Sequence, residues 1–408
     1  MHRGIATFTL DYGKCPRWLF ERMVKLGREI SRVVVEQYGP EEYIKRLADP
    51  VWFQSLGTVL AFDWNASGLT TTLTAALKEA LRGQETNWGI FVCGGKGKTS
   101  RKTPDQIKDW GTRLSLPDSS VDNLVYNSRM SAKVDSSLIQ DNFQIYHHTF
   151  FFTRSGAWTV VQQGMNAKNQ TARRYHWYSR NIQDLVQEPH SGIASQLFFP
   201  QVLNLTSAAS AKNRDLSLKL VSDGFHALDN DIKIIRKHSS SLSKVLSIQY
   251  QNPNSSGHST GSFDSSDGTS ESLRMTGKVD QLTLLQLSDT EFHHHPVESE
   301  NFWTSRYLDK ILNILCETKP QTYQQLLSTR GVGPKTIRAL SLVAEVIYGA
   351  KPSYQDPARY SFAHGGKDAT PFAVDRPTYD HTIHTLRQVV SKSRLTYTDK
   401  NSALKRLY

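Results

Sequence analysis

Two long runs of ring-bearing and β-branched residues, FQIYHHTFFFT and AWTVVQQGM, follow Asn142 and are separated only by Arg154-Ser155-Gly156. Branched and aromatic side chains suit a pleated, buried surface, and a polar triplet ending in glycine is turn chemistry. A β-hairpin is therefore expected here, and whatever else the chain builds must accommodate a sheet.

The flanking sequence reads differently. Trp18, Leu19, Met23, Leu26, Ile30, Val33 and Val34 recur at helical spacing, and a second helix is expected from Pro40 to Leu47, with Glu41 and Glu42 in its first turn. The segment TTTLTAALKEALRG predicts a third helix stopping at Gly83, and Gly89 to Cys93 predicts a strand. Beyond about Leu205 the pattern is helical again. A chain of 408 residues is too long for one ordinary core. The expected fold class is thus α+β: a mixed domain with an antiparallel sheet over residues 1–204, and an all-α domain over residues 205–408. Tyr250 to Leu273, rich in Ser, Gly, Asn and Asp, is expected to be a disordered insertion.

Charge narrows the function classes. Forty-nine Lys and Arg against 38 Asp and Glu give a net charge of +11, which draws a protein toward polyanions, nucleic acid above all. No apolar run is long enough to span a bilayer, and no secretory signal is visible at the start, so a cytoplasmic protein is expected. Three widely spaced cysteines exclude a disulfide framework and a cysteine-rich zinc site.

The most specific local pattern is QTYQQLLSTRGVGPKTIRALSLVAEVIYG, residues 321–349. Thr322 and Gln325 predict a capping box on a short helix, Gly331-Val332-Gly333-Pro334 a tight hairpin, and Ile337, Leu340, Val343 and Ile347 the buried face of a second helix ending at Gly349. This is a helix-hairpin-helix. Its glycines let a backbone phosphate approach the free N–H groups at a helix N-terminus, so Gly331, Gly333, Lys335 and Thr336 are candidate DNA contacts. A buried helical corner is the alternative. The loop SFAHGGKD offers Lys367 as a further phosphate contact or part of a lid, or else a plain surface turn.

These residues resemble the helix-hairpin-helix DNA glycosylases, in which a GVGxKT turn carries a lysine and a later VD pair a catalytic aspartate. The matching positions are Lys335 in Gly-Val-Gly-Pro-Lys-Thr and Asp375 in Phe-Ala-Val-Asp. The resemblance implies a DNA repair enzyme in which Lys335 attacks the sugar of a flipped nucleotide, Asp375 stabilises the developing positive charge, and no cofactor is required. Lys335 as a phosphate contact and Asp375 as a helix cap is the plainer reading. Over most of its length, through PRWLFERMVKLGREI, FVCGGKGKTSRKTP, ARRYHW and YSFAHGGKDATPFAVDRPTYD, the chain also resembles the family known as domain of unknown function 763.

The N-terminal half supplies other candidates. GGKGKTS, directly after the expected strand, is not a nucleotide-triphosphate loop, because the first glycine of that pattern would fall at Val92. It remains a flexible loop with Lys96, Lys98, Arg101 and Lys102, suited to a nucleic-acid backbone or simply solvated. Trp52, Phe53, Trp64 and Trp88 are expected either to stack on unpaired bases or to belong to a core. Asp135, Asp141, His147 and His176 are candidate ligands for Mg or Mn in a metal-dependent nuclease, with His147 and His148 pointing to opposite faces of a strand. Three functions therefore stand: repair enzyme, nuclease, and non-catalytic binder of DNA or RNA.

Overall fold

The computed structural model describes residues 15–60, 66–235, 306–358 and 376–407. It is an α+β structure whose described residues fall into two compact units, one of residues 1–208 with 355–408, the other of residues 209–354. Residues 355–408 return to the first unit, so the second unit lies between its two parts in the chain.

The first unit is built on five antiparallel strands in the order β1-β3-β4-β5-β6. They are β1 (Ile90–Lys96), β3 (Gln144–Thr153), β4 (Trp158–Asn166), β5 (Thr171–Tyr178) and β6 (His190–Ser195), while β2 (Ile139–Gln140) pairs separately with β7 (Leu203–Asn204). The expected hairpin is β3–β4, with Phe152 opposite Trp158 and the turn closed by Gly156 at φ 80°. Helices cover both faces. On one side lie α1 (Arg17–Leu47), α2 (Pro50–Val59) and α3 (Ala66–Leu81), after which comes the one-turn α4 (Glu85–Trp88); α5 (Thr103–Arg113) and α6 (Asp118–Ser137) lie on the other.

This layering explains why Phe150, Phe151 and Phe152 are all fully buried. Successive strand residues face opposite ways, so three consecutive apolar residues need a sheet covered on both sides. Val92, Phe151 and Val161 join the core of α1, α2 and α3, whereas Phe91 meets Phe152 and Trp110 of α5 at ring distances of 5.1 and 5.0 Å. Each buried phenylalanine contributes about 1.5–3 kcal/mol. The two helices expected before residue 48 are α1 itself, bent where Gly39 (φ 83°) precedes Pro40. Asp49 caps α2 by accepting from Val51 N and Trp52 N at 2.7 and 3.2 Å. The returning segment closes this core: Leu386, Val389 and Val390 of α12 (Arg376–Lys392) and Ala403 of α13 (Tyr397–Lys405) pack into it.

The second unit is helical: α7 (Ala211–Asp223), α8 (225–235), α9 (Arg306–Thr318), α10 (Tyr323–Ser328) and α11 (Pro334–Leu342). One turn of π-helix, Val343–Ile347, extends α11, and Gly349 at φ 70° ends it, Ala350 N donating to Ala344 O. Buried Asn213 of α7 donates to Ser341 O and Ala350 O at 3.1 and 2.6 Å, tying both ends of that turn to α7. The expected insertion at 250–273 lies outside the described residues.

Candidate nucleic-acid interface

The hairpin between α10 and α11 forms as the sequence predicts, with one difference. Thr322 Oγ1 accepts from Gln325 N at 3.1 Å, but Gln325 Oε1 accepts from Gln321 N at 2.8 Å, one residue ahead of the cap. The two glycines serve different ends. Gly331 is left-handed (φ 92°), and a Cβ there would overlap Ile311 Cδ1 of α9, so the fold requires glycine. Gly333, the N-cap of α11, is extended with no side-chain cap, and a Cβ there would meet nothing within 4 Å. Nothing among the described residues asks for a bare position at 333.

Pro334 and Lys335 are exposed at the start of α11, whereas Thr336 is 3% exposed and belongs to the packing of the helix. Thr336 is thus removed from the side chains that can reach a ligand. Asp375 and Lys367 lie outside the described residues, as does Trp64. Trp52 and Phe53 are core at 3% and 0% exposure, and Trp88 is half-buried, so the first two are not stacking surfaces.

In the first unit, β1 runs on to Lys96 and passes into a 3-10 turn, Gly97–Lys102. Lys96, Lys98, Arg101 and Lys102 are all exposed there, forming a cationic rim without an acidic residue. Behind the rim is a groove of about 790 Å³, whose walls include Thr71, Thr74 and Lys78 of α3, Lys96, and His147 and Thr149 of β3. Lys78 Nζ donates to Gly94 O and Gln106 Oε1, both at 3.0 Å, and burial pulls its pKa below the usual value. His147 is 1% exposed, and burial, reinforced by nearby His148 and Lys96, pushes its pKa down to about 3, so the ring is neutral at pH 7.

His147 Nε2 lies 3.1 Å from Thr74 Oγ1 and 2.9 Å from Thr149 Oγ1, and the Thr74 hydroxyl donates to Thr70 O at 2.9 Å. Nδ1 is buried with no partner among the described residues, a condition that costs about 1–3 kcal/mol.

The candidate metal ligands do not converge. Asp141 accepts from Arg173 Nη1 (2.8 Å), Tyr175 Oη (2.9 Å) and Phe143 N, and Arg173 also pairs with Asp356 at 2.7 Å. His176 accepts at Nε2 from Arg174 Nε and meets Leu47 O through Nδ1. Asp135 accepts from Gln162 Nε2, Trp177 Nε1 and His190 Nε2. Among the described residues no three His, Cys, Asp or Glu side chains gather so as to hold a metal ion, so Asp135, Asp141, His147 and His176 are reassigned to separate buried networks. His147 and His148 do face opposite ways, His148 Nε2 meeting Ser128 Oγ of α6 at 2.9 Å.

Sequence reading missed His190. Its Nε2 is 2.5 Å from buried Asp135 Oδ1, and it borders a second cavity of about 500 Å³ with Ser191, Asn204 and Asp356. A lone histidine in the stretch Pro-His-Ser-Gly carries no signal, because its partner lies 55 residues away. Lys78, Gln106 and the threonines of α3 were missed for the same reason.

A family model described as "protein of unknown function (DUF763)" matches residues 4–374. No curated protein and no solved structure matches the chain. The comparisons do not extend to the helix-hairpin-helix DNA glycosylases. No described helix is long and apolar enough to cross a membrane.

Proposed function

The chain belongs to the DUF763 family, proteins of unknown function, and from that premise we propose that it binds DNA, its hairpin at Gly331-Val332-Gly333 holding a backbone phosphate. The observation that carries this reading is Gly333. Among the described residues nothing lies within 4 Å of a Cβ placed there, and the position fronts a helix N-terminus without a side-chain cap, beside exposed Lys335. A phosphate oxygen seated on those N–H groups gains from hydrogen bonds, the helix dipole and the lysine charge together. The net charge of +11 and the cationic turn Gly97–Lys102 favour the same class of partner.

The test is duplex binding by the full chain, followed by fluorescence anisotropy across roughly 50–200 mM salt, a range over which backbone contacts weaken steeply. Gly333→Val is expected to weaken binding about tenfold while leaving thermal unfolding within about 1 kcal/mol of the parent, since a Cβ there meets no described atom within 4 Å. Salt-independent binding, or a Gly333→Val variant that binds like the parent, sinks the reading. RNA duplexes in the same titration test the choice of DNA.

The finer proposal is repair chemistry at Lys335 with Asp375. Lys335 is exposed at the second position of α11, where a phosphate contact and a nucleophile are both open to it. Borohydride trapping on abasic, uracil, hypoxanthine and oxidised-guanine duplexes decides between them. A covalent adduct lost in Lys335→Gln makes the chain a lyase. Binding without an adduct leaves the hairpin as a clamp.

A further inference from the structure

Building on the nucleic-acid reading but located in the other unit, we propose that the groove bordered by α3, β1 and β3 is a nucleotide site, with phosphate at its basic rim and base within. The shared ligand is a nucleoside phosphate, either free or as an unpaired residue of a strand.

Two observations converge on that chemistry. The rim supplies cations: Lys96 borders the groove, and Lys98, Arg101 and Lys102 follow on the exposed turn. Lys78 points the same way. Two of its three N–H bonds go to Gly94 O and Gln106 Oε1, and among the described residues the third has no partner.

Size agrees. About 790 Å³ lies within the roughly 300–1,000 Å³ range of small-ligand sites and far exceeds what a lone phosphate fills. Phe20 and Ala75 give the groove apolar wall for a base, and Thr71, Thr72 and Thr149 give hydroxyls for its edges or the sugar. The glycines keep the wall thin: Gly94 (φ 85°) and Gly95 (φ 144°) adopt conformations that favour glycine, and a Cβ on Gly95 would press on Thr99.

Calorimetric titration of the full chain with the four deoxynucleoside monophosphates, and with inorganic phosphate, tests the site directly. At least one nucleotide is expected to bind saturably, inorganic phosphate about tenfold or more weakly, and Lys96→Ala to weaken the nucleotide about tenfold. Lys96 is exposed, so this variant tests the site without disturbing the core.

A duplex with one unpaired nucleotide, compared with its fully paired parent, separates the sources. Tighter binding of the former by about tenfold assigns the ligand to a strand, and equal affinities beside monophosphate binding assign it to a free nucleotide. Lys335→Glu is expected to weaken both duplexes without changing their ratio or the monophosphate titration. Loss of all duplex binding by the parent overturns the hairpin reading, while the monophosphates still decide the groove. No saturable nucleotide binding together with equal duplex affinities, or nucleotide binding unaltered in Lys96→Ala, overturns this proposal.

Discussion

The hairpin at Gly331-Val332-Gly333 and the strand end at Gly94–Gly97 solve one problem in two settings. Each combines a glycine pressed against its neighbours with one that has open space around it. Gly331 is left-handed and pressed on Ile311, while Gly333 is extended and open. Gly94 is left-handed, and a Cβ there would overlap the His148 carbonyl, while around Gly97 a Cβ would meet nothing. The pressed glycine sets the path of the chain, and the open one keeps a surface bare beside exposed lysines. The settings differ in the element that the open glycine introduces. Gly333 opens a nine-residue helix and presents its N-terminus; Gly97 opens a 3-10 turn at the rim of a groove. Backbone amides dominate the first, and side chains the second.

The strongest way to break this comparison is at the pressed glycines. Gly94→Ala is expected to cost about 3 kcal/mol or more, because the atom in its way is backbone and cannot swing aside. Denaturant unfolding measures it, and a loss below about 1 kcal/mol would show that the strand end is not tightly specified.

Acid should separate the units next. Burial pushes the pKa of His147 down to about 3 and that of His148 down to about 4, so the stability they contribute is full above about pH 6.5 and lost as the pH falls toward those values. The loss is of the order of 3 kcal/mol for each. Asp135 and Asp141, whose carboxyls burial raises, act in the opposite sense, their contribution lost as pH rises through the raised values. Hydrogen exchange at about pH 7.5 and about pH 4.5, on either side of the ordinary histidine value, is expected to deprotect β3 before α11 as the solution is acidified. Equal deprotection would deny the histidines this role.

Gly331→Ala is expected to cost about 2 kcal/mol, less than its counterpart, since the far end of Ile311 is free to shift. The smallest expected effect is Gly97→Ala, about 1 kcal/mol for its positive φ alone. If these two changes reverse in rank, Gly97 is under a constraint that its open surroundings do not reveal.

Local features were the legible ones in the sequence. The β3–β4 hairpin, the capped helix pair and the stop at Gly349 depend on periodicity and turn residues within about ten positions. Partnerships across the chain were not legible. Arg173, in the stretch ARRYHW, carries no sign of its partners, and only the fold reveals its carboxylates, 32 and 183 residues away. Trp52 and Phe53 read as core first and as stacking surfaces second, because a sequence does not show which face of α2 is covered. The groove was half visible: its lysines stood out as a basic loop, whereas the threonines of α3 read only as helix. His147 was singled out as a metal ligand, whereas among the described residues no three ligands gather around it and its Nε2 faces two threonines.

The return of residues 355–408 bears on how the protein is made. α1 leaves the ribosome early, yet its core is finished only when Leu386, Val389 and Val390 arrive more than three hundred residues later. At roughly 5–20 residues per second, Met23, Ile30 and Val34 wait some tens of seconds without part of their final cover. The helical unit, encoded between, is complete before the unit that hosts it. Synthesis order and assembly order are therefore inverted, and chains truncated after Tyr354 should show a folded guest within an unfinished host.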